Sequence, residues 1–266
     1  MSVLIVIPAR FASSRYPGKP LAELTGAKGQ KVSLIERSWR AAQAVSGVDR
    51  VVVATDDQRI QDACQAFGAE VVMTSPTCAN GTERCAEAHQ VLGGGFDIVV
   101  NLQGDAPLTP HWFIEDLVTG LVNAPEAGAA TPVLRCDGAA LAGFLADRKA
   151  GRVGGTTAVF DQSNRALYFS KEVIPFTTET YADTAPTPVF HHVGVYAFRA
   201  DALAAYPGWD VGPLETLEGL EQLRFMESGR SILCVEVEAR GRQFWELNNP
   251  EDIPKIEAMM QAMGLE

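Results

Sequence analysis

Five consecutive apolar residues, Val3-Leu4-Ile5-Val6-Ile7, run directly into Pro8-Ala9-Arg10-Phe11-Ala12-Ser13-Ser14-Arg15-Tyr16-Pro17-Gly18-Lys19-Pro20. A short run that is apolar on both faces predicts a parallel strand buried between two helical layers. Parallel α/β sheets bind ligands beyond the carboxyl ends of their strands. Here that end is followed by Arg10, Arg15 and Lys19, set among small residues and turn formers. Arginine offers phosphate oxygens a bidentate fork and lysine a point charge, so the loop suits a polyphosphate. A solvated basic loop is the blander reading. It fits poorly with a chain of 22 Lys and Arg against 33 Asp and Glu, net charge −11, that gathers three cations beside one strand. The same acidity argues against nucleic-acid binding by a broad basic face.

Strand-like and helical segments alternate through the first half. Val51–Ala54, Glu70–Met73 and Asp97–Leu102 read as further strands. Asp57 can cap a helix that turns Ile60, Ala63, Cys64 and Phe67 inward. A helix follows Gly81-Thr82-Glu83-Arg84 and ends at Gly93-Gly94-Gly95, and Pro110 starts another. This alternation implies an α/β fold with a mainly parallel sheet flanked by helices. The second half is less regular. Thr156–Asp161 and Ala166–Phe169 read as strands about a turn at Ser163-Asn164, Val189–Phe198 as one strand, and Ile232–Val237 as another. Thr178–Pro188 reads as a polar loop or arm. Leu214, Leu217, Leu220 and Leu223 recur every three residues and predict a helix core. With no repeat or linker in view, residues 1–266 are expected to form a single domain with an elaborated C-terminal half.

The five cysteines are scattered and make no CxxC pair, which supports neither a zinc site nor a disulfide framework. Reduced thiols, no apolar stretch of membrane-spanning length and no signal-peptide pattern lead to the expectation of a soluble, cytoplasmic protein.

Neither GxxxxGK[ST], GxGxxG nor GxSxG occurs. Instead, four expected strand ends carry polar groups: the basic loop, Thr55-Asp56-Asp57, Asn80-Gly81-Thr82-Glu83-Arg84, and Gln103-Gly104-Asp105. A basic loop for a triphosphate and a strand-end carboxylate for a divalent metal are the minimum parts for nucleotidyl transfer.

Taken together, residues 8–20, Ala54-Thr55-Asp56, Gly81–Arg84, Gln103-Gly104-Asp105, Ala166-Leu167-Tyr168-Phe169-Ser170, His192-Val193-Gly194-Val195-Tyr196, Leu220-Glu221-Gln222-Leu223-Arg224 and Pro250-Glu251-Asp252 resemble the 3-deoxy-manno-octulosonate (Kdo) cytidylyltransferases. The resemblance runs in order over nearly the whole chain. It implies a GT-A-like, Rossmann-related fold, a homodimer, Mg2+, and the coupling of CTP to an acidic eight-carbon sugar with loss of pyrophosphate. By the same resemblance Arg10, Arg15 and Lys19 hold the triphosphate. Pro8, Ala9, Thr55, Asn80, Gly81, Thr82 and Gln103 surround the nucleotide. Asp105 binds Mg2+ at the position of one metal ligand and Asn248 stands at that of the other. Gln103, Lys171, His192, Tyr196, Glu221 and Gln222 line the sugar site.

Read without the family, His192 and Tyr196 pass for core residues, and Glu221 and Gln222 for a solvated acidic helix. On the expected strand Val189–Phe198, His192 and Tyr196 share a face, which is modest independent support. The chain also departs from the family pattern, which usually has Ser at Asn80, Glu at Ala106, Lys at Thr157, Arg at Lys171 and Asp at Asn248. Glu246, two residues before Asn248, would project from the same face of an extended Phe244–Asn248 segment and is a candidate to replace the missing carboxylate. These departures leave room for another acid as acceptor (an amino-substituted Kdo, a nonulosonate or a phosphonate) or for a nucleotide-sugar-binding protein impaired in catalysis.

Overall fold

The computed structural model describes residues 1–13, 16–105, 107–153, 155–242 and 245–266. The chain begins with β1 (Val3–Ala9), a hairpin of β2 (Glu23–Thr25) and β3 (Lys31–Ser33), α1 (Leu34–Gln43), β4 (Arg50–Thr55) and α2 (Gln58–Ala66). Next come β5 (Glu70–Met73), α3 (Gly81–Val91), β6 (Ile98–Leu102), α4 (His111–Asn123), β7 (Ala129–Asp137) and α5 (Gly138–Lys149). They are followed by β8 (Thr156–Phe160), β9 (Ala166–Ser170), β10 (Pro186–His192), β11 (Val195–Arg199), α6 (Ala200–Ala205), α7 (Pro213–Glu218) and α8 (Leu223–Glu227). β12 (Ile232–Glu236) and α9 (Ile253–Met263) complete the fold. Two compact units result. One comprises Met1–Glu115, Ala197–Pro207 and Ala239–Glu266, and the other Asp116–Tyr196 and Gly208–Glu238.

The first unit is built on the parallel order β5-β4-β1-β6. Leu4, Ile5, Val6 and Ile7 are wholly buried, as a strand covered on both faces requires. Ala9 pairs with Thr55 and Val6 with Asn101, so β1, β4 and β6 release their loops at one edge of the sheet. Side-chain caps start the helices there. Asp57 accepts the Arg59 N–H (3.0 Å) at α2, and Asn80 accepts the Glu83 N–H (2.8 Å) at α3; each satisfies a donor the helix leaves open. A satellite core of Leu24, Leu34, Leu108, Leu247, Ile256 and Met260 ties α9 to the hairpin and α1.

The second unit is largely antiparallel. β7, β10, β8 and β9 pair in that order, and β12 adds to β7 in parallel. Cys136, Leu141 and Val189 form a small core under α5.

The chain thus adopts the α/β fold expected, with its parallel sheet in the first half and the elaboration in the second. Three expectations are corrected. Val189–Phe198 is two strands, because the chain bends at Val193-Gly194 between β10 and β11. The loop expected over Thr178–Pro188 yields its last residues to β10. The leucine stripe is not one helix core: Gly219 interrupts it in the left-handed region (φ +61°), Leu217 is 83% exposed and only Leu223 is fully buried.

Candidate active site

In the first unit the loop after β1 closes on Phe11, whose carbonyl accepts the N–H groups of Ser13 (3.0 Å) and Gly18 (2.9 Å). Pro8 is half-buried, Ala9 buried and Arg10 exposed. Lys19 is drawn inward, and its Nζ lies 2.7 Å from the Asp105 carboxylate. Two of the charged groups singled out in the sequence are therefore in contact, with both side chains largely shielded. Arg15 lies outside the described residues.

The α3 N-terminus stands beside them. A β-carbon on Gly81 would sit 3.1 Å from Gln103 Nε2, 3.3 Å from Asn101 Nδ2 and 3.3 Å from Pro8 Cγ. A larger residue here would crowd the β1 and β6 ends against the first turn of the helix. Thr55 and Thr82 are buried in the same region, and the Asp57 N–H donates to Thr55 Oγ1 (3.3 Å). Asn80, at the family's serine position, caps α3 and donates from Nδ2 to the Tyr206 hydroxyl (3.1 Å). The structure thus gathers Pro8, Ala9, Lys19, Thr55, Asn80, Gly81, Thr82, Gln103 and Asp105 at one sheet edge.

The segment carrying Glu246 and Asn248 is pinned to this edge, for the Leu247 N–H donates to the Asp105 carbonyl (3.0 Å). Leu247 is buried, Glu246 exposed and Asn248 half-buried. Phe244 lies outside the described residues. Asp252 organises the turn. It accepts the Trp245 indole N–H (2.9 Å) and the N–H groups of Asn248 (3.0 Å) and Asn249 (2.7 Å). Although burial works the other way, these donors hold its carboxyl below the ordinary value. Among the described residues no three His, Cys, Asp or Glu side chains form a metal cage. Asp105, and Glu246 and the Asn248 side-chain amide flanking the Leu247 that is hydrogen-bonded to the Asp105 carbonyl, are a sparse set of hard oxygen donors. Such a set fits Mg2+, which takes one or two carboxylates and fills its sphere with phosphate and water.

In the second unit the acceptor candidates fall into a neutral cluster and a charged one. His192 and Tyr196 meet through their rings (centroids 5.6 Å apart) although the bend at Gly194 separates their strands. Simple face-sharing along one strand is therefore not what joins them. The Tyr196 hydroxyl donates to Gln222 Oε1 (3.1 Å), and Gln222 is buried with its Nε2 unpartnered. His192 Nε2 lies 2.9 Å from Thr131 Oγ1. Burial, with a smaller contribution from His191, pushes the His192 pKa down to about 3, so the ring is neutral at physiological pH.

In the charged cluster, Glu218 accepts the Ser170 hydroxyl (2.7 Å) and the Lys171 N–H (2.9 Å). Lys171 Nζ lies against Gly219, where a β-carbon would stand 3.0 Å away. Glu221 is half-buried. The acidic stretch is not simply solvated: Glu215 is buried and takes Arg224 through both carboxylate oxygens (2.7 and 2.8 Å). Thr157, at the family's lysine position, donates to the Glu172 carbonyl (2.7 Å) and accepts the Ile174 N–H (3.2 Å). Ala106 lies outside the described residues.

Several contacts of these clusters escape sequence reasoning. Arg84 pairs with Asp56 (3.3 Å) and donates to Thr74 Oγ1 (2.5 Å), and Arg59 stacks 3.3 Å over the Phe11 ring. The helix spacing after the Asp57 cap could have pointed to Arg59. Nothing in the sequence pairs Thr131 with His192.

Residues 4–232 match the cytidylyltransferase family. A 3-deoxy-manno-octulosonate cytidylyltransferase of Maricaulis maris (strain MCS10) is 47% identical over 264 residues, 99% of either chain. A relative of that name from Chlamydia pneumoniae is 44% identical over 97% of this chain and 94% of its own, and one from Zea mays 38% over 98% and 82%. The solved CMP:2-keto-3-deoxy-manno-octonic acid synthetase complexed with CTP superposes with a TM-score of 0.82 at 33% identity, covering 99% of this chain and 100% of that one. Fold and strand-end chemistry together define a nucleotidyltransferase of GT-A-like, Rossmann-related architecture. More narrowly, the chain belongs to the 3-deoxy-manno-octulosonate cytidylyltransferase family.

Among the described residues no helix is long and apolar enough to cross a membrane, and all five cysteines are free thiols.

Proposed function

We propose that this chain is a CTP-dependent cytidylyltransferase that couples CTP to Kdo or a Kdo-like 2-keto-3-deoxy acid, giving the CMP-sugar and pyrophosphate. The observation that carries the reading is the contact of Lys19 with Asp105 at the carboxyl edge of the parallel sheet, beside the α3 N-terminus. The names of the relatives and of the CTP-bound neighbour support it.

The anomeric hydroxyl of the acid sugar attacks the α-phosphorus in line. The new O–P bond forms as the bridging P–O bond to the β-phosphate breaks, and the hydroxyl proton leaves to solvent. Arg10, Lys19 and, by the resemblance, Arg15 neutralise the charge that develops on departing pyrophosphate. Lys19 and Asp105 now compensate each other, and a triphosphate with its cation offers each a new partner of the sign it gives up. Asp105, with Asn248 and Glu246, would hold Mg2+, which when bound supplies charge neutralisation across the phosphates. The glycine-lined first turn of α3 lets the nucleotide approach the backbone. Lys171, Glu221, Gln222, Tyr196, His192 and Gln103 are assigned to the acceptor. Because His192 is neutral, the acceptor's carboxylate is assigned to Lys171, and hydroxyls to the neutral groups. The chain's residues position and neutralise, as phosphoryl-type transfer requires.

On this reading residues 1–266 act as one nucleotidyltransferase domain, as a homodimer, in the cytoplasm, where free thiols persist. The test is pyrophosphate release with CTP, ATP, GTP or UTP against Kdo, an amino-substituted Kdo, a nonulosonate and a phosphonate. Turnover with CTP and Kdo is the expected result. Turnover only with another acid would move the assignment to that acid, and CTP binding without turnover on any acceptor would leave a nucleotide-binding protein.

A further inference from the structure

Thr131 is fully buried on β7, paired with Cys234 of β12. Its single hydroxyl faces three polar atoms. Oγ1 lies 2.9 Å from the Val195 carbonyl, 3.3 Å from the Val193 carbonyl and 2.9 Å from His192 Nε2. The bend at Gly194, where the Val195 N–H folds back onto the Val193 carbonyl (2.7 Å), is what aims both carbonyls at one hydroxyl. Two oxygens 2.9 Å apart need a proton between them. A carbonyl has none to give, so the threonine proton goes to the carbonyls. The 2.9 Å contact with His192 then needs a proton as well, and only the imidazole can supply it.

We propose that Thr131 is a positioning residue for acceptor binding: by donating to the Val195 carbonyl it compels His192 to carry its proton on Nε2, leaving Nδ1 as a fixed hydrogen-bond acceptor for a hydroxyl of the acid sugar. The rings of Phe169 and Tyr196 pack against the imidazole, with centroids 5.0 and 5.6 Å away. Burial keeps the imidazole neutral, so Nδ1 does not become a donor in the physiological range. A ring of the opposite tautomer would present N–H to the sugar and reject the same hydroxyl as a donor. The inference rests on the assignment of His192 to the acceptor, but the tautomer itself is decided without reference to any substrate.

The chain has four histidines, so selective 15N-histidine labelling gives four ring systems, with His192 identified by its loss in His192→Asn. Wild-type His192 is expected as the Nε2–H form. Thr131→Val is expected to shift or mix that tautomer and to raise KM for Kdo about tenfold, the weight of one hydrogen bond, while KM for CTP stays within about twofold. Thr131→Ser should restore both spectrum and KM. Thr131→Ala, which removes the hydroxyl without adding a methyl, is the second variant should Thr131→Val melt without cooperativity. A wild-type proton on Nδ1 overturns the proposal, as does a hydroxyl-less variant that keeps both tautomer and KM. If no acid is turned over with CTP, the functional reading fails, while the spectrum still decides the tautomer.

Discussion

At the strand ends of the first unit the polar groups are charged and range from exposed to buried. Lys19 sits on Asp105, Arg84 on Asp56, and Arg10 reaches solvent. In the second unit the assigned cluster is mostly neutral and deeply buried: Thr131 on His192, Tyr196 on Gln222. Its buried ion pair, Arg224 with Glu215, links α7 to α8. The contrast follows the chemistry each unit is assigned. A triphosphate is bound and its departure eased by movable full charges. A polyhydroxylated acid is recognised by oriented donors and acceptors, whose worth depends on exclusion of water and on having no alternative orientation. Charge acts on rate in one unit and on architecture in the other, and four expected outcomes test that division.

The largest concerns Arg224. Breaking a buried ion pair from one side strands the other charge, at a cost of about 3–5 kcal/mol. Arg224→Leu should lose that much in denaturant unfolding, while Arg224→Leu with Glu215→Leu should recover most of it. CTP affinity of the folded fraction should not change. A loss below about 1 kcal/mol would mean the pair is not part of the frame.

Next is Lys19. Removing one preorganised charge from a developing oxyanion costs about 10²–10³ in turnover, and Lys19→Ala should show it in kcat with CTP and Kdo. Unlike a plain surface loop residue, Lys19 is partly buried on Asp105, so a stability loss of about 1 kcal/mol should accompany the kinetic one. Full activity in Lys19→Ala would remove the triphosphate assignment of the loop. A stability loss as large as that of Arg224→Leu would erase the contrast between the units.

Third comes the pH dependence of the second unit. His192 is held neutral down to about pH 3, whereas its unfolded value is the ordinary 6.5. Above pH 6.5 neither state is protonated and the group contributes nothing. As pH falls below 6.5 the unfolded chain takes up a proton that the folded chain refuses, so stability is lost, with a limiting slope of about 1.4 kcal/mol per pH unit, until about pH 3. Between pH 7 and 5.5 this amounts to about 1 kcal/mol. Urea unfolding of wild type and His192→Gln at the two pH values measures it: carboxylates contribute equally to both proteins, and the wild-type loss should exceed that of the variant by about that amount. Equal acid limbs would show that His192 is not held neutral by the fold.

The first unit was more legible than the second, for a physical reason. Its central strands are largely buried and announce themselves as apolar runs, and its candidate site residues lie in the loops that follow the strands, so Lys19, Gly81, Gln103 and Asp105 could be picked out by position. The Lys19–Asp105 contact spans most of the unit and needed only the strand order. The second unit turns on features with no local signature. The bend at Gly194 is a single residue inside a run that reads as one strand. Leu214 and Leu217 keep a helical spacing that Gly219 breaks before it can become a core. Thr131 lies in a stretch from which no strand was read, and its importance comes wholly from two carbonyls and an imidazole brought to it by the bend. His192, Tyr196 and Gln222 were reached through family resemblance, and the structure supplies the contacts that composition and periodicity do not encode.

The smallest expected effect lies where the charged unit is thinnest. Asn248 occupies the family's second carboxylate position and can lend Mg2+ only a neutral oxygen. Glu246 precedes it by two residues, and the intervening Leu247 is buried with its N–H on the Asp105 carbonyl. That hydrogen bond holds the segment of both neighbours to the edge assigned to Mg2+. Glu246 is exposed, however, so any hold it has on the ion is diluted by water and salt, and the weight of an exposed carboxylate is about 0.5–1 kcal/mol. We therefore expect Glu246→Gln to raise the Mg2+ concentration for half-maximal turnover about threefold, with kcat at saturating Mg2+ little changed. Asn248→Asp, which restores a charge on the more shielded side chain, should lower that concentration by at least as much. The two titrations separate the possibilities cleanly. If Glu246→Gln leaves the Mg2+ titration where it was and Asn248→Asp still shifts it, Asp105 is the sole protein carboxylate on the metal and the weakness at position 248 is uncompensated. If neither substitution moves it, the 245–249 segment serves the fold of the charged unit through Leu247 and Asp252, and contributes nothing to its chemistry.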